Sequence, residues 1–351
     1  MTTIHLGADD CGGADDPVRA DVLARALLVV PCLNEERHIE GLLAQLRRVA
    51  GSALIVVADG GSTDATLAIL ARHEGNDPRV RVLHNPRRIQ SSAINLAVER
   101  FGAGRDVLVR IDAHCLYPDD YLAVLLAERE RTGADAVVVS MDTRGEGGVQ
   151  AANAAAQNSR LGNGGAPHRA GGDGRWVDHG HHALMSLDAF RAVGGYDETF
   201  AHNEDAELDH RLRRAGRRIW LTARTRALYV PRDTLGGLFR QYRNYGRGRA
   251  RNVLKHRLVP RVRQALPLLV APAAGLGVLG AIALWPLPPL GLVLLAPVAL
   301  WAAMCLGGGL WLAARARRAS LALAGVSAMV MHFAWSLGFW RQIGAALGGR
   351  A

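Results

Sequence analysis

The sequence predicts an α/β domain built on a mostly parallel sheet, followed by a region embedded in a membrane. Three observations predict it. Strand-like and helix-like runs alternate four times between residues 27 and 141, the pattern of parallel strands joined by crossover helices. Between Arg263 and Arg315 no residue is charged, and about 50 positions suffice for two membrane helices of about 20 residues each. Arginines crowd between Arg211 and Arg263, directly before that stretch, as on a surface that faces anionic headgroups or phosphates.

A chain of 351 residues with net charge +10 has room for two domains. Lys255 is its only lysine. No zinc-finger spacing or other nucleic-acid motif accompanies the basic residues, so no nucleic-acid partner is expected. Cys11, Cys32, Cys115 and Cys305 are scattered without a Cys-x-x-Cys pair, which argues against a disulfide framework and a zinc site and fits a reducing compartment. Met1 to Asp16 is polar and acidic and lacks the basic and apolar regions of a signal peptide.

Residues 1–24 read as a disordered tail, rich in Asp and Gly. Leu27-Leu28-Val29-Val30-Pro31 is a short buried strand, with Cys32-Leu33-Asn34-Glu35-Glu36 at its carboxyl end. Residues 37–49 carry Ile39, Leu42, Leu43, Leu46 and Val49 at helical spacing. A second strand, Ala53 to Ala58, ends in Asp59-Gly60-Gly61-Ser62-Thr63-Asp64. The glycines permit a tight turn, and Ser62, Thr63 or Asp64 can cap the next helix. Val80 to Leu83 is the third strand and Ser91 to Phe101 the third helix. No Gly-x-Gly-x-x-Gly follows the first strand, which argues against a dinucleotide-binding domain.

The fourth strand is Val107 to His114, ending in Asp112-Ala113-His114. On an extended backbone alternate side chains share a face. Asp112 and His114 would then point together off the carboxyl end of the strand, where open α/β sheets bind ligands. A carboxylate and an imidazole can hold Mg²⁺ or Mn²⁺. On these residues alone a solvated strand end is an equal reading. Ala136 to Met141 is the fifth strand.

Gly162-Asn163-Gly164-Gly165 and Gly171-Gly172-Asp173-Gly174 mark a mobile loop. Asp178-His179-Gly180-His181-His182 follows, either a further metal ligand or acceptor contact, or a solvated cluster. Asn203-Glu204-Asp205 opens a helix that runs to about Ala215 and ends at Gly216; carboxylates are common at such starts. From Leu235 to Leu258, Leu235, Leu238, Phe239, Tyr242 and Tyr245 share one side and arginines fill the rest. Such a helix can lie in the membrane interface, the alternative being a surface helix packed on the domain. Pro286, Pro288 and Pro289 suggest a hairpin turn, and residues 321–340 make a third span or a re-entrant segment. The positive-inside rule places the Arg211–Arg263 region and Arg315, Arg317 and Arg318 in the cytoplasm, and the N-terminal domain with them. The expected organisation is a tail (1–24), a catalytic domain (25–231), basic amphipathic interface helices (232–262) and a region with two to three membrane helices (263–343).

The order and spacing of five short stretches resemble the inverting family 2 glycosyltransferases, whose fold is called GT-A. They are Val-Val-Pro-Cys-Leu-Asn-Glu-Glu (29–36), Val-Ala-Asp-Gly-Gly-Ser-Thr-Asp (57–64), Ile-Asp-Ala-His (111–114), Val-Gly-Gly-Tyr-Asp-Glu (193–198) and Asn-Glu-Asp-Ala-Glu-Leu (203–208). The Asp-Ala-His variant, the His cluster and the membrane helices look most like the succinoglycan-type exopolysaccharide glucosyltransferases. The resemblance implies a nucleotide-diphospho-sugar transferase fold. It implies that Pro31, Leu33 and Glu35 line the nucleotide pocket, that Asp59 binds the uracil or ribose, and that Arg88 lies near the donor. Asp112 and His114 would position Mg²⁺ or Mn²⁺ on the diphosphate. Asp205 would be the general base, with Glu204 its rival. Gly195, Tyr196, Asp197 and His182 would shape the acceptor site.

Many members carry Asp-x-Asp where His114 stands, which leaves the metal open. The Gln-x-x-Arg-Trp of processive synthases is replaced by Gln241-Tyr-Arg-Asn-Tyr245, which favours transfer of a single sugar. The implied protein is a membrane-anchored hexosyltransferase facing the cytoplasm, moving glucose or another hexose from a UDP-sugar to a polyprenyl-pyrophosphate-linked saccharide. Transfer to polyprenyl phosphate or a glycolipid, and a non-catalytic sugar-nucleotide-binding membrane protein, are the alternatives.

Overall fold

The computed structural model describes residues 22–165, 173–260, 262–284 and 286–349. Most of the expected tail, part of the Gly-rich loop and the side chain of His182 lie outside the described residues; 22–24 form a helical turn. The chain divides into two compact units. Among the described residues the first comprises 22–140, 173–198 and 208–227, and the second 141–165, 199–207 and 228–349.

The first unit carries most of a nine-stranded sheet. Its strands are β1 (Ala26–Cys32), β2 (Leu54–Asp59), β3 (Val80–His84), β4 (Val107–Arg110), β5 (Cys115–Leu116), β6 (Ala136–Thr143), β7 (Arg175–Val177), β8 (His181–Ser186) and β9 (Ile219–Tyr229), in the order β3-β2-β1-β4-β8-β6-β9-β5, with β7 on β9. β1 pairs in parallel with β2 and β4, and β2 with β3. Helices α1 (Ile39–Val49), α2 (Thr66–Asn76) and α3 (Gln90–Phe101) make the crossovers. β1 is buried along nearly its whole length, as a strand covered on both faces must be, and this explains its unbroken apolar run. Leu27, Val29, Val56, Leu108, Val138 and Met185 meet in the core.

Beyond β4 the sheet turns antiparallel: β8 runs against both β4 and β6. The sheet is therefore mixed, parallel on the side read from the early motifs. β8 has no crossover helix before it and opens on two histidines, so its sequence carries no buried-strand pattern. The register Val109↔Leu184 brings the first residues of β8 to the edge where β4 ends. Helices α4 (Tyr121–Thr132) and α7 (Leu187–Ala192) complete this unit.

The second unit is helical. It contains α5 (Gly148–Asn158), α6 (Arg160–Asn163), α9 (Leu235–His256), α10 (Val262–Leu268), α11 (Val270–Ala283), α12 (Pro288–Ala316), a 3₁₀ turn (Ala319–Leu323) and α13 (Ala324–Leu347). α8 (Glu204–Arg214) begins here and continues in the first unit. Gln264–Ala283, Pro289–Ala316 and Ala319–Leu347 are long and apolar enough to cross a membrane. The first two are mostly exposed, whereas half of the third is buried.

α9 buries Leu238, Gly246, Gly248, Ala250 and Asn252, and α13 is its main partner. A Cβ on Gly246 would overlap the Trp335 carbonyl, and one on Gly338 the Arg243 carbonyl. The two backbones touch at a pair of glycines, a close crossing typical of membrane helices. The amphipathic helix thus packs on protein along this face, with Leu238 among Ala156, Ala324, Ala328 and Met331. Inside the unit, Ser327 donates to buried Asn153 Oδ1 at 2.7 Å, and Asn153 Nδ2 donates to the Arg232 carbonyl at 2.7 Å.

Candidate active site

In the first unit the candidate residues gather where parallel strands end, the edge at which such sheets bind ligands. The loop after β1 is tied to the loop after β2. Asn34 N donates to Ser62 Oγ at 2.8 Å, Thr63 N to Asn34 Oδ1 at 2.8 Å and Glu35 N to Thr66 Oγ1 at 2.9 Å. Asp59 is buried and holds this turn together, accepting from Gly61 N at 2.7 Å, Ser62 N at 3.0 Å and the Ser62 hydroxyl. Both of its oxygens are engaged by the turn, so Asp59 first shapes the loop that a nucleotide would meet. Gly61 has φ +83°, a backbone shape that excludes most side chains.

Arg88 has φ +60°, uncommon for a non-glycine residue. Its Nε donates to the Gly60 carbonyl at 2.8 Å, so the guanidinium lies on the Asp59 turn. Pro31 is half-buried near the end of β1, between buried Val30 and Cys32, and Leu33 is exposed on the loop beyond. Cys32, between them, has its thiol pushed up to about 12 by burial and the nearby Asp59 and Glu35, which makes it an inert side chain.

β4 stops at Arg110, four residues earlier than the sequence suggests. Asp112 N donates to the Tyr117 hydroxyl at 2.8 Å, and Cys115 N closes a turn on the Asp112 carbonyl at 3.1 Å. Asp112 and His114 therefore do not lie on an extended strand. Asp112 Oδ1 accepts from Gln90 Nε2 at 2.9 Å and Arg110 Nε at 3.1 Å, and Oδ2 lies 3.4 Å from His181 Nε2. Burial alone would raise this carboxyl, but the charges of Arg110, His181 and His114 hold it well below the usual carboxylate range. His114 instead meets Glu35, Nδ1 to Oε1 at 3.3 Å, and His38 lies on the other Glu35 oxygen at 2.9 Å. Burial works against the Glu35 charge, yet these two histidines keep its carboxyl below the usual range.

Gln90, Arg110 and His181 are members that sequence reasoning did not place. The Asp-His-Gly-His-His stretch was the signal for His181; which of its histidines turns inward depends on the start of β8. His179 sits instead on buried Asp209, Nδ1 to Oδ2 at 2.5 Å. Among the described residues no group of three His, Cys, Asp or Glu could by itself hold a metal.

Gly195 and Tyr196 are fixed by Asn95, which accepts from Tyr196 N at 2.9 Å and donates to the Tyr196 carbonyl at 2.8 Å. The Tyr196 ring is in the core, edge-on to Phe190, with its hydroxyl 3.5 Å from Arg110 Nη1. Tyr196 thus backs Arg110 from inside. Asp197 follows it in the same loop.

In the second unit Asn203, at φ +65°, starts α8, and Glu204 and Asp205 form its first turn. Glu204 is buried and Asp205 half-buried. Glu207 is fully buried, with Oε1 2.5 Å from Lys255 Nζ and 3.0 Å from His256 Nε2. Phe200 lies under Arg251 and Lys255, at 5.2 and 5.5 Å from its ring centre, and Arg251 Nη1 donates to the Thr199 carbonyl at 2.6 Å. Gly248 leaves room for the His202 carbonyl. Gln241 donates to the Tyr229 hydroxyl at 2.7 Å and the Tyr245 hydroxyl at 3.1 Å.

The sequence signature of glycosyl transferase family 2 matches residues 27–194. The chain is 56% identical over 320 residues to the succinoglycan biosynthesis protein ExoA of Rhizobium meliloti (strain 1021), covering 91% of this chain and 94% of that protein. It is 29% identical over 137 residues to the polyprenol monophosphomannose synthase of Mycolicibacterium smegmatis, covering 38% of this chain and 51% of that protein. The mannosyltransferase PcManGT from Pyrobaculum calidifontis, solved with GDP-Man and Mn²⁺, matches with a TM-score of 0.56 at 20% identity, over 91% of this chain and 88% of that one. At that identity the likeness concerns the fold.

Proposed function

The chain belongs to glycosyl transferase family 2, with the GT-A fold and C-terminal helices apolar enough to span a membrane, and from that premise we propose that it moves a hexose from a UDP-sugar to a polyprenyl-pyrophosphate-linked saccharide. Glucose is the hexose we put first, and exopolysaccharide or cell-envelope glycan synthesis the setting. The relative named for succinoglycan biosynthesis supports the setting. The observation that carries the reading is the Asp112 cluster. It is an ionised carboxylate, flanked by Gln90, Arg110 and His181, beside the Asp59–Arg88 turn.

The donor set fits a divalent cation. Asp112 would supply oxygen and His181 or His114 nitrogen, a mixture that suits Mn²⁺ better than the oxygen-preferring Mg²⁺. Since no three such side chains converge among the described residues, diphosphate oxygens would complete the shell. Bound there, the metal offsets charge on the departing nucleoside diphosphate. Arg88 and the Asn34–Ser62 loop pair would frame the base and ribose. Asp205 takes the proton from the acceptor hydroxyl as that oxygen bonds to the anomeric carbon and the bond to the diphosphate breaks. One displacement inverts the centre and needs no enzyme nucleophile. Glu204, the more buried of the pair, is the rival base. The arginines before α10 and after α12 support a multi-pass protein whose catalytic residues face the cytoplasm.

The test is nucleoside diphosphate release by the detergent-purified full chain. It would be offered UDP- and GDP-sugars with Mg²⁺ or Mn²⁺, with and without native lipid extract. Metal-dependent release from one UDP-hexose, stimulated by lipid and lost in Asp205→Asn, is expected. Wild-type release in a folded Asp205→Asn would overturn the base assignment. Donor binding without release under every lipid condition would favour a binding protein.

A further inference from the structure

Of 42 lysines and arginines in the chain only residue 255 is a lysine, and it is the one that meets the fully buried Glu207. Glu207 lies two residues after Asp205 in the first turns of α8. Its Oε1 is shared by Lys255 Nζ and His256 Nε2. A single oxygen that serves two donors suits a compact ammonium, whereas a guanidinium fork prefers to span both oxygens of a carboxylate. Upstream, the same face of α9 holds Phe200 beneath Arg251 and Lys255, and Arg251 ties down the Thr199 carbonyl. Residues 199–207 are therefore pinned to α9 at both ends of the Glu204–Asp205 turn.

We propose that Lys255 is a positioning residue for the transfer reaction: by holding Glu207 to α9 it sets the orientation of the Glu204–Asp205 turn. The proposal rests on the reading of that turn as the source of the base. Without Lys255 the Glu207 Oε1 keeps His256 but loses its ammonium partner, and a buried carboxylate whose charge is less compensated shifts to regain it. A base displaced with it by about 1 Å can lose about 100-fold in rate.

Full-length Lys255→Met, Lys255→Arg and Glu207→Gln would be compared in detergent with UDP-glucose, Mn²⁺ and native lipid extract. Lys255→Met should lower kcat about 10- to 100-fold with donor KM unchanged, and Lys255→Arg should recover part of the loss. A purely structural role would lower the amount of folded protein and leave kcat of that fraction intact. The double variant Lys255→Met/Glu207→Gln should lose no more than Lys255→Met alone. Because Lys255 carries the only ε-amine, its acylation by an amine-reactive reagent, read by mass spectrometry, reports the pair without any turnover; Glu207→Gln should speed it several-fold. Wild-type kcat in folded Lys255→Met, or acylation indifferent to Glu207→Gln, would overturn the proposal. Full turnover in Asp205→Asn would overturn the base assignment and leave the acylation result standing. Full turnover in Lys255→Met beside an inactive Asp205→Asn would overturn the positioning role alone.

Discussion

In the sheet unit, the buried carboxylate Asp59 is held by Gly61 and Ser62, and Asp112 by Arg110 and Gln90. In the helical unit, Glu207 is held by Lys255 and His256, 48 and 49 residues away. The first pattern is assembled where neighbouring strands end: Asp59 is held within its own turn, and Asp112 also by Gln90 at the start of α3. The second exists only once α9 has packed. Under the proposed function, the donor side rests on short motifs at neighbouring strand ends, and the proposed base rests on the packing of a long helix.

If that contrast holds, damage on the two sides separates cleanly. The largest effect is expected for Asp205→Asn: nucleoside diphosphate release should fall about 10²- to 10⁴-fold while nucleotide affinity, measured by calorimetry, stays at the wild-type value. A parallel loss of affinity would break the separation. On the donor side, Asp112→Ala should raise the Mn²⁺ concentration for half-maximal activity about 10- to 100-fold. His181→Ala should exceed His114→Ala in the same titration, since His181 lies against Asp112 and His114 against Glu35; the reverse order would favour His114 as the nitrogen ligand.

Gly338→Ala tests the helix crossing itself. Its methyl would overlap the Arg243 backbone carbonyl, which gives way only if the two helices move apart. A cost of about 3 kcal/mol or more is expected, with turnover falling and nucleotide affinity unchanged. A smaller effect tests the sheet unit away from chemistry. Buried Asp77 is gripped by Arg79 and Arg47, and the Arg79 hydrogen bonds hold its carboxyl well below the usual range. A lowered folded-state value means that the contribution is fully present above the unfolded carboxyl's range, near pH 4, and is lost as pH falls below it. Asp77→Asn should cost about 1–2 kcal/mol in denaturant unfolding at pH 7, and the difference from wild type should shrink at about pH 2.

The same contrast explains what could be read in advance. Apolar runs and turn residues marked β1 to β4 and the loops that follow them, because each buried strand and each Gly–Asp turn writes its need into neighbouring residues. The end of β4 was misjudged because Ile111 continues the apolar pattern while a tyrosine five residues past Asp112, Tyr117, claims the Asp112 amide. β8 writes no strand pattern into the sequence because four of its six residues are histidine, alanine or serine. The resemblance puts Tyr196 at the acceptor site, and its ring fills the core while its hydroxyl turns to Arg110. Lys255 stood out by composition, but nothing local linked it to Glu207.

The glycine crossing of α9 and α13 has a consequence in time. α13 is synthesised after α9, α11 and α12, so while the chain is being made α9 has no surface against which Gly246 can settle. The contacts that hold residues 199–207 come from α9, and α9 in turn finds its closest backbone partner only in α13. If the proposed base is right, a chain truncated before Ala324 should bind sugar nucleotide and release none of it as product.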